Sequence, residues 1–389
     1  MINSQTLYII FHGRFPSEKA AALFVAKNAS AFLEEGFKPI LLIPRVRKSR
    51  RALVGEAESF KLPATIPVVT LPALDLFRLP FFGSIAFFLS YITFSLSLFW
   101  YFVYRAEGEG IWYSNESVPL FLLSFFGATS FYEMHDFPER SVKLYRFFLK
   151  KMRGLVITNT WKRDRAKTVL GIPEEAMLVE QNAVSLQDFN VPIGKEEARK
   201  KLGLETTIPI VLYTGHLYGW KGVDTLALSA KQVPEAQFIF VGGREWDDLP
   251  AFCQKYKDTL NIRVTGHRPY QELALWQKAA DILVLPNSGK EDISRFYTSP
   301  MKLFGYMASG RPIIASDLPS VREVVSDQAA LFVPPDDPDA LHGAIKKVLA
   351  DIALQEKLAR GALVEVQNHT WTARASRISS FIERRLVVG

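Results

Sequence analysis

Cysteine is nearly absent from this chain: among its 389 residues only Cys253 is one. No internal disulfide can form, which excludes a bridge-stapled secreted scaffold and fits a reducing compartment. The start, "MINSQTLYIIFHG", lacks a basic stretch ahead of a long apolar core and lacks a small-residue cleavage site, so it reads as a first β-strand rather than a signal peptide. No GxxxxGK[ST] phosphate loop occurs, and "VGGREW" (241–246) is too short a glycine match to imply a dinucleotide fold. No HxxxH or HxxE spacing supports a metal site. Finally, charge of either sign is missing from residues 79–104.

What is present describes a large globular chain. Hydrophobic residues make up 48% and charged residues 22%, too apolar for a disordered chain, and the length calls for two domains rather than one core. The net charge of +7 is uneven: residues 1–190 hold 22 basic and 17 acidic residues, which is +5 of it. Local clusters are "PRVRKSRR" (44–51), "KLYRFFLKKMR" (143–153) and "WKRDRAK" (161–167). Each reads first as a solvated face. No nucleic-acid motif accompanies the charge, so nucleic acid is not expected as a partner. An anionic membrane surface is the better-supported one.

The uncharged run "LPFFGSIAFFLSYITFSLSLFWYFVY" (79–104), bracketed by Arg78 and Arg105, is long enough to span a bilayer. Ser84, Ser90, Thr93, Ser95 and Ser97 interrupt it, and Ser90, Thr93 and Ser97 share one helical face. It reads as a spanning helix, a helix dipping into one leaflet, or a buried core helix. Spanning would separate residues 1–75 from those after 106, which the strand pattern needs in one domain. Surface insertion and deep burial both stay open.

Short apolar runs alternate with helical patterns along the rest. Strands are expected at 7–11, 39–44, 67–71, 110–114, 129–134 and 154–159, then at 209–215, 237–242, 262–266, 281–286, 312–316 and 330–334. Helices are expected at 18–35, 141–152, 222–233, 271–280 and 338–349. This is an α/β chain with two parallel sheets, joined near "NAVSLQDFNVPIG" (182–194). In such folds ligands bind at the carboxyl ends of strands. His12, His135, His216 and His267 all fall there, which suggests a polar crevice between two facing domains.

"TSPMKLFGYMASGRPIIAS" (298–316) reads as a capped helix followed by a strand. Thr298 or Ser299 caps, Pro300 sits in the first turn, and Gly310 ends the helix. Its free N–H groups suit an anion. The glycine in its middle, Gly305, costs roughly 1 kcal/mol against alanine and calls for another reason.

Several segments in order resemble the family 4 glycosyltransferases, a family with the GT-B fold of two Rossmann-like domains facing across a cleft. These are "FHGRFPSEKAAALFVAKNASAFLEEGF" (11–37), "YEMHDFP" (132–138), "QNAVSLQDF" (181–189), "YTGHLYGWKGVDTL" (213–226), "SPMKLFGYMASGRPIIASDLPSVREVV" (299–325), "ALFVPPDDPDAL" (330–341) and "HTWTARA" (369–375). The resemblance implies an acceptor-side domain at 1–187, a nucleotide-sugar domain at 188–371, and a helix at 372–389 packing back on the first. It implies a retaining transferase that needs no metal and no cofactor. The donor would be a nucleoside diphosphate sugar, and the acceptor a glycan or lipid-linked molecule at the cytoplasmic membrane face, as in polysaccharide biosynthesis. Two other readings are a weakened or inactive membrane-associated relative and a GT-B sugar-nucleotide epimerase.

Roles follow residue by residue. His135 and Lys221 would be catalytic. Gly215, His216, Lys221, Thr298, Ser299, Met301 and Lys302 would hold the donor diphosphate, Lys221 and the helix start offsetting charge gained as the bond breaks. Gly266, His267, Tyr297 and Gly305 would lie at the nucleoside. His12, Gly13, Glu133 and Asp136 would lie on the acceptor side, with Glu133 orienting His135. The family usually carries two glutamates where Tyr297 and Gly305 stand here, so ribose recognition uses another group, or donor affinity is weakened, or the chain is a degenerate member; it often carries arginine where His216 stands, a better phosphate partner than imidazole.

Overall fold

Every strand pairing among the described residues is parallel, and that accounts for the sequence of the strands. A parallel strand is covered by helices on both faces and reads as a continuous apolar run rather than an alternation. The computed structural model describes residues 5–17, 20–45, 62–75, 83–106, 110–244 and 248–387. The basic cluster at 46–51, Arg78, and the first residues of the expected helix at 18 and 19 lie outside them.

The chain forms two units, Met1–Glu180 with Trp371–Gly389, and Gln181–Thr370. The first unit holds β1 (Thr6–Ile10), β2 (Lys38–Pro44), β3 (Val68–Leu71), β4 (Ile111–Ser114), β5 (Thr129–Met134), β6 (Gly154–Ile157) and β7 (Met177–Val179). Its helices are α1 (Ala20–Glu34), α2 (Gly83–Tyr104), α3 (Ser117–Phe125), α4 (Val142–Leu149), α5 (Thr160–Thr168) and, from the far end of the chain, α15 (Trp371–Val387). The strand order is β3-β2-β1-β4-β5-β6-β7. β7 was not expected: three residues are too few to show a period.

The second unit holds α6 (Leu186–Phe189), α7 (Lys195–Lys201), β8 (Ile210–Thr214), α8 (Val223–Ala230), β9 (Gln237–Val241), α9 (Leu249–Lys255), β10 (Ile262–Gly266), α10 (Tyr270–Ala279), β11 (Ile282–Leu285), α11 (Met301–Ala308), β12 (Ile313–Ser316), α12 (Pro319–Arg322), β13 (Ala330–Val333), α13 (Pro338–Ala350) and α14 (Ile352–Glu365). Its order is β10-β9-β8-β11-β12-β13. Both sheets thus reverse direction once, at β1/β4 and at β8/β11, and each reversal opens a crevice at the strand carboxyl ends. Helices cover both faces, and all residues of β8, β11 and β12 are buried.

The join falls seven residues before the expected position 187. Asn182 Nδ2–H donates to the Ser299 carbonyl at 2.7 Å and Gln181 Nε2–H to the Glu323 carbonyl at 2.9 Å, so 181–187 is tied to the second unit. In the first unit, Phe381 of α15 packs edge-on to Phe131 of β5 and Trp371 to Phe24 of α1.

Helix α2 is long and apolar enough to cross a membrane, yet Ala86, Ser90, Phe94, Ser95 and Leu98 are buried against the first unit. Of the polar residues that interrupt it, Ser90, Thr93, Ser95 and Ser97 face the protein, whereas Ser84 is exposed. Ser97 Oγ donates to the Pro72 carbonyl at 2.7 Å, and Thr93 Oγ1 accepts the Leu74 N–H at 3.0 Å. Lys162, expected on a solvated face, is buried instead. Its ammonium donates to the His135 carbonyl at 2.6 Å and to Thr158 Oγ1 at 2.5 Å.

Candidate functional site

The loop after β8 carries Gly215, His216 and Leu217 and leads into a tight turn at Gly219–Lys221. Three close approaches fix its path. The N–H of Gly215 donates to the Val241 carbonyl at 2.8 Å, and a Cβ on Gly242 would stand 2.1 Å from the Gly215 oxygen, so the loops after β8 and β9 meet at two residues without side chains. Asp248 then ties them: it accepts the Leu217 N–H and, at 2.8 Å, the Arg244 N–H. His216 stacks on Tyr218 with centroids 4.9 Å apart, its Nδ1 lying 3.7 Å from the Asp248 carboxylate. On the other side, Gly222 is left-handed, and a Cβ there would meet the Pro286 oxygen at 1.7 Å. The Lys221 turn therefore lies against the loop after β11.

Two lysines meet at this reversal point. Lys302, at the second position of α11, holds its Nζ 3.9 Å from the Tyr213 ring centroid. That Nζ is shut off from solvent and, among the described residues, has no hydrogen-bond partner. Burial, with the neighbouring Lys221 charge adding to it, holds its pKa well below the ordinary lysine range. Lys221 Nζ lies 3.6 Å from the Trp220 ring centroid, and burial pushes it down to about 8. Close by, Asn287 is fully buried after β11, and both polar atoms of its side chain are without partners among the described residues. Two cations and an amide that the protein leaves unsatisfied form a receptor for an anion with several acceptor oxygens.

The helix start differs from expectation. Pro300 is the N-cap of α11, not part of its first turn. A π-turn at Ile293–Tyr297 precedes it, closed by the Thr298 N–H on the Ile293 carbonyl at 3.0 Å. Thr298 therefore cannot offer its N–H to a ligand. Ser299 faces Asn182, its Oγ 3.3 Å from the Asn182 nitrogen. Met301 and Lys302 remain as the first two helical donors. Tyr306, one turn on from Lys302, accepts the Thr214 N–H at 2.8 Å and so anchors α11 to the end of β8.

Gly305 does not face the lysines. A Cβ there would stand 2.8 Å from Phe189 Cζ and 3.0 Å from Cε1. Its place in the helix is explained by the Phe189 ring, which occupies the space a side chain would need. Gly305, expected to lie at the nucleoside, instead lies against Phe189. Gly266 ends β10 and His267 follows it; β10 is the edge strand, which β9 separates from β8. His267 is exposed.

The first unit has its own constellation at β1, β4 and β5. His12 follows β1 with its Nε2 3.1 Å from Ser90 Oγ and its backbone N–H donating to Glu116 Oε1 at 3.0 Å. Burial lowers the His12 pKa, keeping the ring neutral near pH 7. Gly13 continues the loop beneath the Phe11 ring. Glu116, after β4, has its pKa raised by burial against bonds from His12 and Tyr91. His135, after β5, has Nε2 2.9 Å from Glu133 Oε1 and Phe24 edge-on at 4.9 Å. With Nε2–H engaged by a carboxylate, Nδ1 is the ring nitrogen left for a ligand. Asp136 is exposed at the rim.

Glu133 has a further task. Burial would raise its pKa, but Arg374 and His135 outweigh that and hold it at about 2. Its carboxylate also bonds the Tyr113 hydroxyl. Sequence reading did not find Glu116, Asn287, Tyr306 or Arg374. Glu116 and Asn287 each follow the strand across the reversal point, a position visible only once strand order is known. Among the described residues no three His, Cys, Asp or Glu side chains group to hold a metal ion.

Residues 208–351 match the family described as "Glycosyl transferases group 1". A D-inositol 3-phosphate glycosyltransferase of Jonesia denitrificans is 26% identical over 255 residues, 61% of this chain and 58% of that protein. The chain spans about half the length of the curated relatives it matches. In structure it is similar to sucrose-phosphate synthase from Thermosynechococcus elongatus, with a TM-score of 0.79 at 19% identity over 99% of this chain and 100% of that one. It is likewise similar to HepE of Anabaena, solved with UDP and glucose, at a TM-score of 0.73 and 16% identity over 97% and 99% of the two chains.

Proposed function

We propose, from the match of residues 208–351 to the group 1 glycosyltransferase family and from the GT-B domain fold of both units, that the protein moves a sugar from a nucleoside diphosphate sugar to a hydroxyl acceptor. The observation that carries this reading is the Lys302 side-chain nitrogen, buried beside Lys221 at the β8/β11 reversal without a hydrogen-bond partner among the described residues. A diphosphate offers the charge and the oxygens that these cations and the Asn287 amide lack. The bond from anomeric carbon to diphosphate oxygen breaks, and the charge gathered on the departing oxygens is met by groups already in place. The acceptor oxygen bonds the same carbon on the face the diphosphate leaves and passes its proton to the departing diphosphate oxygen, so configuration is retained. Nucleoside diphosphate and a glycoside are the products.

His135 Nδ1, presented at the first unit's strand ends, accepts a sugar or acceptor hydroxyl proton in a hydrogen bond. The two lysines supply the positive charge that a divalent ion supplies elsewhere, so the reaction proceeds without metal. The acceptor is a glycan or lipid-linked molecule, met at the cytoplasmic face of a membrane. A non-catalytic binding role is the second reading, favoured by Phe189 filling the space beside Gly305.

Thermal shift with nucleoside diphosphates, their sugars and plain nucleosides tests the donor site. Stabilisation by diphosphates but not nucleosides is the expected result; none by any of them removes the donor reading. Product NMR then reads the anomeric configuration, and EDTA should leave turnover unchanged. Diphosphate binding with no transfer to any acceptor would favour the non-catalytic role.

A further inference from the structure

The first unit leaves one broad surface apolar. On α2, Ile85, Phe88, Ile92, Leu96, Trp100 and Val103 are exposed, at helical spacings of three and four. Phe88 is 60% exposed and Trp100 55%. The stripe continues onto neighbouring helices through rings in contact. Phe99 meets Phe126 at 4.6 Å, just past the end of α3, and Phe125 meets Phe147 of α4 at 5.6 Å. An apolar face of this extent is unusual on a protein that meets only water.

Helix α4 shows what the face fits. Its exposed residues are Lys143, Leu144, Arg146 and Phe147, and Lys150 and Lys151 follow it, so cations and apolar groups are interleaved. Lys151 Nζ lies 5.5 Å from the Phe125 ring centroid, its stem along the apolar face and its charge at the edge. Trp100 and Tyr104 stack at 5.4 Å toward the end of α2, the residue types that favour a headgroup layer. A second copy is the poorer fit, because a two-fold contact presents the same basic patch on both faces. A spanning helix is also excluded as the occupant's mode: the inner face of α2 is packed on protein, so only one side is free for lipid.

We propose that the α2 stripe, with Phe125, Phe126, Leu144 and Phe147, is a docking surface that lies in one leaflet of an anionic bilayer. The helix is about 33 Å long and lies along the surface rather than through it. Its inner face carries Ser90 and Tyr91 against His12 and Glu116. On the transferase reading, an acceptor held in that leaflet has its reactive hydroxyl at the β1/β4 reversal, and the acceptor is an amphiphile.

The test uses the full chain, with an environment-sensitive dye on single cysteines. Phe88→Cys and Leu96→Cys are made in a Cys253→Ser background, and the natural Cys253 in the second unit is the control. Vesicles are phosphatidylcholine with or without phosphatidylglycerol. Labels at 88 and 96 should shift to the blue on anionic vesicles while the label at 253 does not, and 0.5 M salt should reverse most of the binding. Lys143→Glu, Lys150→Glu and Lys151→Glu together should weaken binding to anionic vesicles at least about a hundredfold. Phe88→Asp with Leu96→Asp should abolish it with an unchanged melting curve; if that variant unfolds, the dye-labelled chains still decide. No response at 88 and 96 on either vesicle overturns the proposal, as does a response that grows with protein concentration without lipid, the signature of a second copy. Lipid binding is read without substrates, so a chain that binds vesicles but no nucleotide sinks the transferase reading alone.

Discussion

Arg374 of α15 bonds the carboxylate of Glu133 at the end of β5, a residue 241 positions earlier. Both side chains are sealed from solvent, and Arg374 also donates to Asn28 Oδ1 at 2.8 Å. A buried pair of this kind is costly to break by halves, because the survivor is an uncompensated charge.

Glu133→Gln should therefore destabilise the first unit by about 3–5 kcal/mol, and Glu133→Leu with Arg374→Met should recover most of that. Denaturant melts of the wild type, Glu133→Leu, Arg374→Met and the double variant form the cycle. The pH dependence has a fixed sign. The folded pKa of about 2 lies below the unfolded value, so the pair's contribution is present above the ordinary carboxylate range and is lost as pH falls through the low fours toward 2. Glu133→Gln should flatten that acid limb.

Lys302→Met should raise the stability of the ligand-free protein by about 1–3 kcal/mol, the usual cost of a buried polar group without a partner. The same change should erase the thermal shift given by nucleoside diphosphates. A variant that is both less stable and still responsive would show that Lys302 is structural.

Lys221 predicts a pH profile. Its folded pKa of about 8 lies below the unfolded one, so the unfolded chain binds more protons between about 8 and 10.5, and stability contributed by this group rises with pH over that window. Diphosphate affinity should run the other way, weakening above about pH 8 as the cation is lost. Calorimetric titration from pH 6.5 to 9 reads it. Lys221→Met should flatten the curve.

Gly305→Ala should destabilise the second unit by about 1–3 kcal/mol through overpacking on Phe189, although alanine is the better helix former by roughly 1 kcal/mol. Combining it with Phe189→Leu should relieve part of that cost. A more stable Gly305→Ala protein would mean the Phe189 ring yields freely.

His135→Ala should lower kcat by about tenfold to a thousandfold while leaving nucleotide binding to the second unit intact. Single-turnover kinetics with a saturating donor separate the two. Equal loss of donor affinity would place His135 outside this role.

Much of this architecture is legible in the residues. The parallel strands announce themselves because two covering layers demand unbroken apolar runs, as in "IVLYT" and "ILVL". β7 is too short to show a period, and the Thr298 cap was misread because a π-turn spends the Thr298 N–H before α11 begins. Lys302 and Lys221 stood out by position, but their isolation did not, since it depends on what is absent around them. Gly305 was the least readable. Its reason is Phe189, remote in sequence, and no local pattern carries a contact between a helix and a ring so far upstream.

The course of the chain has a consequence for synthesis. The first unit is made first but is completed last, because α15 enters it only after all of Gln181–Thr370 has been translated. At ordinary elongation speeds, roughly 12–48 s separate Glu133 from Arg374. During that interval the nascent first unit has a carboxylate facing its core without the arginine that neutralises it, and an uncovered face on the side where α15 docks. The second unit, contiguous in the chain, has no such wait. The order of folding on the ribosome is thereby inverted relative to the order of synthesis, and a stall between residues 181 and 370 exposes the first unit, not the second, to aggregation.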